Sequence, residues 1–193
     1  MLTNVPLYVR APMLGAPPAG DVGDLVQLFD ATVATTLDLA GVPSRHVHFA
    51  RSLRPYLSNA TASSWEPRDA VFAEGGYATN EPRDFEKETG HASNYWYKSH
   101  VQQTDPLSVC RAVSVRTKAW KLVYRSDPTS LDHDSELYDL ANDPLELTNV
   151  YDANPEVATE LKLRILDWMV LTSDVTPYST CDRGTGKCSG EPW

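Results

Sequence analysis

The chain has 193 residues, of which 41% are apolar, and this is enough for one domain with a buried core. Its formal net charge of -9 argues against nucleic acid as the main partner. There is no run of about 20 apolar residues to predict a membrane span, and residues 1–20 lack the charged and apolar regions of a secretory signal. The sequence therefore leaves the compartment open.

The first part of the chain predicts two strands and a helix. Residues 5–12 and 24–29 are apolar runs typical of strands. Asp30 is the predicted N-cap of a helix that ends at Gly41. The apolar face of that helix consists of Val33, Ala34, Leu37 and Ala40.

The middle of the chain predicts one strand and a long loop. Residues 70–74 are typical of a buried strand, which the glycines at 75 and 76 end. Residues 77–106 form the predicted loop, which is rich in aromatic and basic side chains. Loops of this length on a compact domain are usually functional or disordered, and the aromatic content favours order.

Residues 111–149 predict an antiparallel hairpin followed by a third strand. Residues 111–117 and 120–125 alternate in character and are joined by a short connection at 117–119. On the second strand, one predicted face is apolar and the other is basic. The third strand covers residues 136–140 and ends at a turn containing Pro144. The apolar residues on the second strand are Trp120, Leu122 and Tyr124.

A C-terminal helix is predicted to cover the apolar face of this sheet. Asn154 is its predicted N-cap, and Pro155 takes the first helical position. The apolar stripe of the helix consists of Val157, Leu161, Ile165, Trp168 and Met169.

A set of short motifs in this region resembles the C-terminal signature of a known family. In order, the motifs are Arg116-Thr117, Trp120-Lys121-Leu122-Val123, Glu136-Leu137-Tyr138-Asp139-Leu140, Asp143-Pro144, Glu146 and Asn149. The family that they resemble is that of the type I, formylglycine-dependent sulfatases of the alkaline-phosphatase superfamily. Residues 28–41 and 52–57 resemble its strand-turn-helix and a following helical turn.

The resemblance implies an α/β fold from the C-terminal part of a sulfatase. A small antiparallel sheet is expected to pack on a C-terminal helix, preceded by strand-helix units of a larger sheet. Residues 1–60 would end the main α/β domain, residues 61–172 would form the C-terminal subdomain, and residues 173–193 would form a polar tail.

The function implied by the resemblance is the hydrolysis of sulfate esters. In the family, a formylglycine made from the cysteine of a Cys-x-Pro-Ser-Arg segment attacks the sulfur, and a calcium ion neutralises the sulfate. The family places these groups upstream of the part that matches here. Calcium is thus expected for a full-length member, with no cofactor in this chain. The implied substrate is a small aryl or carbohydrate sulfate.

The corresponding reacting groups are not found in this sequence. Cys110 is followed by Arg111-Ala112-Val113, which is not the modification segment. Residues 41–45 contain Pro-Ser-Arg but have glycine where the nucleophile should be. The nearest acidic cluster, Asp132-His133-Asp134, is more typical of a solvated turn than of a metal site. We therefore predict no catalytic residue and no metal ligand here, and expect the chain alone to be inactive.

The long loop contains the candidate substrate contacts. His91, Lys98 and His100 are candidates for contacting an anionic or sugar substrate, and Tyr77 and Trp96 are candidate stacking surfaces. In the alternative interpretation, Trp96 packs under the loop and the histidines face solvent.

The cysteines allow two interpretations. Cys181 and Cys188 bracket a short loop that a disulfide could close in an oxidising compartment, or they are two free thiols. Cys110 is most simply a small core residue.

Three hypotheses follow for the whole protein. The chain is the C-terminal part of a sulfatase, within a longer chain or a truncated gene model. Alternatively, it is a non-catalytic decayed paralogue or binding module. Within the enzymes, a phosphodiesterase or phosphonate hydrolase of the same superfamily is the second candidate.

Overall fold

A computed structural model describes residues 5–14, 25–43, 49–58, 66–76, 104–105, 110–127, 132 and 134–172. The chain divides into two compact units. One unit is Met1–Asp69 together with Asp167–Trp193, and the other is Ala70–Leu166. We call them the flanking unit and the sheet unit. The predicted division at residues 60 and 172 stays a prediction.

The sheet unit contains a four-stranded antiparallel sheet with the strand order β1-β2-β3-β4. Each strand pairs with the next in sequence, and all of the pairs are antiparallel. The predicted hairpin and third strand are both formed. The strands are β1 Val71–Gly75, β2 Arg111–Arg116, β3 Trp120–Ser126 and β4 Glu136–Asp139.

The hairpin between β2 and β3 closes at the predicted connection. The Thr117 backbone N–H donates to the Trp120 carbonyl at 2.8 Å. The Thr117 hydroxyl oxygen accepts the Trp120 backbone N–H at 2.9 Å. These bonds set the register of the hairpin, in which Val115 lies opposite Leu122.

One face of the sheet packs against the C-terminal helix, α3, which spans Pro155–Thr172. Val115, Leu122 and Leu137 are fully buried on this face. The helix contributes Ala158, Leu161 and Ile165 to the same core cluster. The period-2 pattern of the strands and the helical stripe thus meet as predicted.

Two residues of the predicted helical stripe lie elsewhere. Trp168 packs edge-to-face on Phe49 within the flanking unit, with ring centroids 6.1 Å apart. Met169 is 47% exposed. The stripe that enters the sheet core therefore ends at Ile165, and the prediction was wrong for the last turn and a half of the helix.

The opposite side of the sheet, here called the outer face, is also covered at its centre. Ser114 and Val123 are buried on it, and so is Lys121. As predicted, the apolar and the basic residues of β3 lie on opposite faces of the sheet. The basic face is not fully exposed to solvent, because Lys121 is buried and its charge is balanced by an acidic partner.

The flanking unit contains short helical segments. They are a 3₁₀ turn at Pro12–Leu14, a π-helical segment at Asp30–Thr35, α1 at Thr36–Ala40 and α2 at Arg54–Leu57. The π-helical segment runs directly into α1. The hydroxyls of Thr35 and Thr36 donate to carbonyls five residues earlier, those of Asp30 and Ala31, which is the same spacing as in the backbone hydrogen bonds of a π-helix.

Two predicted strands in this unit are not formed. Residues 5–11 have no regular secondary structure, and Pro6 and Pro12 lack the N–H donors that a central strand needs. In the run 24–29, Leu25 makes one isolated bridge to Arg68, and helical structure begins at Leu28.

The end of α1 is as predicted. Gly41 adopts φ 67° in the left-handed region. Its N–H donates to the Asp38 carbonyl at 3.2 Å, and the Val42 N–H donates to the Leu37 carbonyl at 3.0 Å. This pair of bonds is the Schellman motif, which satisfies the last carbonyls of a helix.

Candidate functional site

The substrate-contact residues predicted from the sequence lie outside the described residues. This is true of Tyr77, His91, Trp96, Lys98 and His100. Cys181 and Cys188 also lie outside them. Their roles stay predictions. Cys110 is described and buried, as predicted for a core residue, and burial raises the pKa of its thiol.

Three residues of the sequence signature meet on the outer face of the sheet. Arg116 on β2 and Lys121 on β3 are direct cross-strand partners. Glu146 contacts both of them. Its Oε1 lies 3.1 Å from Arg116 Nη1, and its Oε2 accepts a short hydrogen bond from Lys121 Nζ. The signature residues therefore form one electrostatic cluster, although they are up to 30 positions apart in sequence.

A second ion pair lies farther along the same face. Arg125 Nη1 donates to Glu136 Oε1 at 2.8 Å and to the Asp134 carbonyl at 2.6 Å. The Tyr138 hydroxyl donates to Glu136 Oε2 at 3.0 Å. Burial, followed by the hydrogen bond and charge of Glu136, raises the pKa of Tyr138 to about 12. Tyr138 therefore stays a neutral hydrogen-bond donor at physiological pH.

The acidic turn after β4 holds Glu146 in place. Asp143 Oδ2 accepts the backbone N–H groups of Leu147 and Thr148 at 2.7 and 2.8 Å. Glu146 itself has φ 57°, a left-handed conformation that is uncommon for a residue with a side chain. The turn thus uses a local carboxylate to fix its backbone and leaves Glu146 to pair with the sheet.

Asn149, the last signature residue, completes the edge strand. Its Oδ1 accepts the backbone N–H of Leu137 at 3.0 Å and that of Tyr151 at 3.0 Å. The Val150 N–H donates to the Leu137 carbonyl at 2.8 Å. A side-chain amide therefore satisfies a backbone donor on β4 that has no further strand to pair with.

The acidic cluster at 132–134 is engaged with α3. Asp132 Oδ2 lies 2.6 Å from Lys162 Nζ and accepts the Tyr151 hydroxyl at 2.7 Å. The Lys162 ammonium lies 5.1 Å from the ring centroids of both Tyr124 and Tyr151. A metal ion at Asp132 would have to displace this cation. His133 lies outside the described residues.

The flanking unit holds one fully buried carboxylate. Asp30 makes two charged hydrogen bonds of 2.6 Å with Arg68, from Nε and Nη2. It also accepts the backbone N–H groups of Gln27 at 3.1 Å and Arg51 at 2.7 Å. Asp30 was predicted as the N-cap of the helix. That role was wrong, because helical structure begins at Leu28 and the buried Asp30 carboxylate binds Gln27, Arg51 and Arg68 instead.

These clusters hold together parts of the chain that are distant in sequence. In the part of the chain that the structure describes, no three His, Cys, Asp or Glu side chains are grouped so that they could bind an ion. Nor is any described helix long and apolar enough to cross a membrane.

Comparison with known families now places the chain. Residues 2–170 match the family described as N-sulphoglucosamine sulphohydrolase, C-terminal. The chain belongs to this family. A search of curated proteins gave no match.

Solved structures resemble this member of the sulphohydrolase family in fold. A phosphonate monoester hydrolase of Agrobacterium radiobacter is 22% identical, with a TM-score of 0.52, covering 82% of this chain and 28% of its own. A protein solved with its substrate D-glucosamine-2-N,6-O-disulfate is 23% identical, with a TM-score of 0.43, covering 75% and 24%. A 2-O GAG sulfatase is 18% identical, with a TM-score of 0.48, covering 76% and 26%.

This chain therefore spans about a quarter of the length of the solved structures it matches. The predicted resemblance to the C-terminal portion of sulfatases is confirmed. The predicted fold class is also confirmed, namely an α/β chain with a small antiparallel sheet and a C-terminal helix.

Two features of the clusters were not predicted from the sequence. The pairing of Glu146 with Arg116 and Lys121 was missed, although all three had been singled out as signature residues. The signal that could have indicated the pairing is that all three residues belong to one signature. For Asp30 and Arg68 there was no such signal, because neither hydrophobic periodicity nor spacing connects positions 38 residues apart.

Proposed function

We propose that this chain is the C-terminal part of a sulfatase, a sulfuric ester hydrolase. Membership of the sulphohydrolase family over residues 2–170 is the observation that carries this proposal. The proposed substrate is a small sulfated compound, an aryl or carbohydrate sulfate. The family description favours the carbohydrate class and, within it, a sulfated glucosamine.

We also propose that the reacting centre lies in other parts of the whole protein. None of the three cysteines begins a Cys-x-Pro-Ser-Arg segment, because Cys110, Cys181 and Cys188 are followed by other residues. The placement of calcium outside this segment is supported by the nearest acidic cluster, in which Asp132 binds Lys162. Calcium and the nucleophile would both come from outside this segment.

The contribution proposed for this chain is to shape the substrate cleft. The sheet unit has a core of fully buried residues, so its strands are well packed and can hold the ends of a loop in fixed positions. The loop that contains His91, Lys98 and His100 begins directly after β1 and returns to β2. The paired strands β1 and β2 would therefore anchor a substrate-contacting loop at both ends.

Activity assays test the proposal. Sulfate release from an aryl sulfate and from a sulfated glucosamine is measured with this chain alone and with the product of the complete reading frame. We expect no release from the chain alone, and release from a longer product that carries a Cys-x-Pro-Ser-Arg segment. Hydrolysis by the 193-residue chain alone would contradict the placement of the reacting centre.

A phosphonate or phosphodiester hydrolase is the second candidate. It is favoured by the fold likeness to the Agrobacterium phosphonate monoester hydrolase, at a TM-score of 0.52. Assays of the same preparations on an aryl phosphodiester and an aryl phosphonate distinguish the two. A kcat/KM that is higher for the sulfate by tenfold or more, about 1.4 kcal/mol of transition-state preference, would favour the sulfatase.

A non-catalytic role is the remaining alternative. It predicts that the complete reading frame contains no modification segment and that the chain unfolds cooperatively by itself. Inspection of the coding DNA upstream of Met1, together with a urea unfolding curve, decides between this role and the enzyme.

A further inference from the structure

Two cations lie side by side on the outer face of the sheet. Val71, Arg116, Lys121 and Tyr138 are successive register partners across the four strands. Arg116 and Lys121 are therefore direct cross-strand neighbours. Like charges in this position repel and destabilise a sheet unless an anion neutralises them.

Among the residues that the structure describes, the pair is met by less negative charge than it requires. Glu146 gives one oxygen to each cation, at 3.1 Å from Arg116 Nη1 and in a short contact with Lys121 Nζ. One carboxylate against two cations leaves a local charge of +1. The neighbouring pair Arg125 and Glu136 is balanced, with 2.8 Å between its charged groups. Of these two described clusters, the one with excess positive charge is therefore that of Arg116 and Lys121.

Arg116 has hydrogen-bond donors to spare. A guanidinium carries five N–H donors in a planar fork. Among the described residues, its one hydrogen-bond acceptor is Glu146. The Arg116 side chain is 22% exposed, so a small solute can reach it, whereas only 7% of Lys121 is exposed. Spare donors beside a buried ammonium suit an oxyanion, which accepts charged hydrogen bonds in pairs.

We propose that Arg116 and Lys121 form a binding site for an oxyanion, a free sulfate or the sulfate group of a sugar. Arg116 donates the hydrogen bonds, and Lys121 supplies a second positive charge. Glu146 holds both cations in place and opposes the anion, so the affinity is weak, with a Kd on the order of 1 mM. Binding requires no reaction, and the proposal stands or falls separately from the proposed hydrolase function.

Equilibrium dialysis with radiolabelled inorganic sulfate tests the site. The full 193-residue chain is compared with Arg116→Gln and with Arg111→Gln at constant ionic strength. Arg111 is an exposed residue on the same strand, so the control makes the same change of charge. We expect saturable binding by the parent chain, about tenfold weaker binding by Arg116→Gln, and unchanged binding by Arg111→Gln.

A second variant predicts an effect of opposite sign. Glu146→Gln removes the opposing carboxylate and keeps a hydrogen-bond acceptor, so sulfate should bind severalfold more tightly. A purely structural role for the cluster would not increase binding. Dialysis of a radiolabelled sulfated glucosamine with the same variants tests whether the site also accepts a sulfate carried on a sugar.

The outcomes that overturn the proposal are equally specific. They are the absence of saturable sulfate binding by the parent chain, an equal loss in Arg116→Gln and Arg111→Gln, or weaker binding by a folded Glu146→Gln. Circular dichroism establishes that each variant is folded. If Arg116→Gln is unfolded, Arg116→Lys replaces it, and its loss of the planar fork should still weaken binding.

Discussion

The described parts of the two units are stabilised in different ways. In the sheet unit, Val115, Leu122 and Leu137 are completely buried against apolar residues of α3. In the flanking unit, the buried apolar residues are small or few, and Asp30 and Thr35 are buried among them. Large apolar side chains are exposed in both units, for example Tyr8 at 89% in the flanking unit and Leu147 at 78% in the sheet unit, so the difference lies in what each unit buries.

This difference indicates which interaction each unit depends on. Apolar burial is non-directional and spread over many contacts, so the sheet unit should tolerate the loss of any one polar contact. In the flanking unit, three described parts of the chain meet at a single carboxylate. Asp30 binds the backbone at Gln27 and Arg51 and the side chain of Arg68. Its loss should therefore affect all of those segments together.

The largest effect is expected from Asp30→Ala. The variant leaves the Arg68 guanidinium, which is 11% exposed, without its carboxylate, and breaking such a buried pair costs about 3–5 kcal/mol. Hydrogen exchange should show a loss of protection across residues 28–40, with residues 111–126 retaining theirs.

The matched control is the exposed pair of Asp38 and Arg54 in the same unit. Its side chains are 36% and 49% exposed, so Asp38→Ala should cost only about 0.2–1 kcal/mol. Equal losses in the two variants would mean that burial does not set the difference and would contradict the comparison.

The next effect concerns the apolar core of the sheet unit. Leu122→Ala removes a fully buried side chain at the centre of β3 and should cost about 2–5 kcal/mol. Protection should be lost in the strands and kept in residues 28–40. Leu147→Ala is the control, since Leu147 is 78% exposed and its truncation should change the free energy of unfolding by less than about 0.5 kcal/mol.

The same contrast explains which elements could be predicted from the sequence. The strands and α3 of the sheet unit follow from period-2 and helical patterns, which record how each element buries its own face. Lys121 fits that pattern as an outward residue, but its burial depends on Glu146, which lies 25 positions later. The alternation of residues along a strand gives no information about a contact with such a distant residue.

In the flanking unit, the local pattern was a poorer guide. Residues 24–29 are apolar enough for a strand, yet Leu28 is 69% exposed and lies in helical structure. Asp30 lies in the same helical structure and binds a partner 38 positions away, a contact that the local pattern does not contain. Gly41 was predictable because the left-handed end of a helix favours one residue type.

The end of α1 gives a smaller, purely backbone effect. Gly41 has φ 67°, and a Cβ added there would meet no atom within 4 Å. Gly41→Ala should therefore cost about 1–2 kcal/mol from the left-handed conformation alone. Gly41→Asn should lose less, because asparagine tolerates this region, and urea unfolding of the two variants measures the difference. An equal loss in both would mean that the side chain meets an obstruction.

The smallest effect tests a polar contact in the sheet unit, the pair of Asp132 and Lys162. Burial works to raise the pKa of Asp132, but hydrogen bonds from Lys162, Ser135 and Tyr151 outweigh it, so that the pKa is lowered from 3.8. Burial works to lower the pKa of Lys162, and its bonds to Asp132 and Tyr151 outweigh that and raise it from 10.5.

The sign of the pH dependence follows from these two shifts. The contribution of Asp132 to stability is fully present above pH 3.8 and is lost as the pH falls through the lowered pKa of its carboxyl. The contribution of Lys162 is fully present below pH 10.5 and is lost as the pH rises through its raised pKa. Between those limits, the pair should contribute a constant amount of about 0.2–1 kcal/mol, because both side chains are about one-third exposed.

Asp132→Asn isolates this contribution without changing the backbone, since asparagine also tolerates the φ of 55° at this position. The difference in urea midpoint between the parent and the variant should be constant near neutral pH and shrink on the acid side of 3.8. Glu160→Gln is the control, because its pair with Arg164 at 3.5 Å is more exposed and should contribute too little to measure. A midpoint difference that instead grew in acid would show that Asp132 acts through something other than its charge. A loss in the free energy of unfolding above about 2 kcal/mol would be as large as that from truncating an apolar core residue of the sheet unit, and it would contradict the comparison between the units.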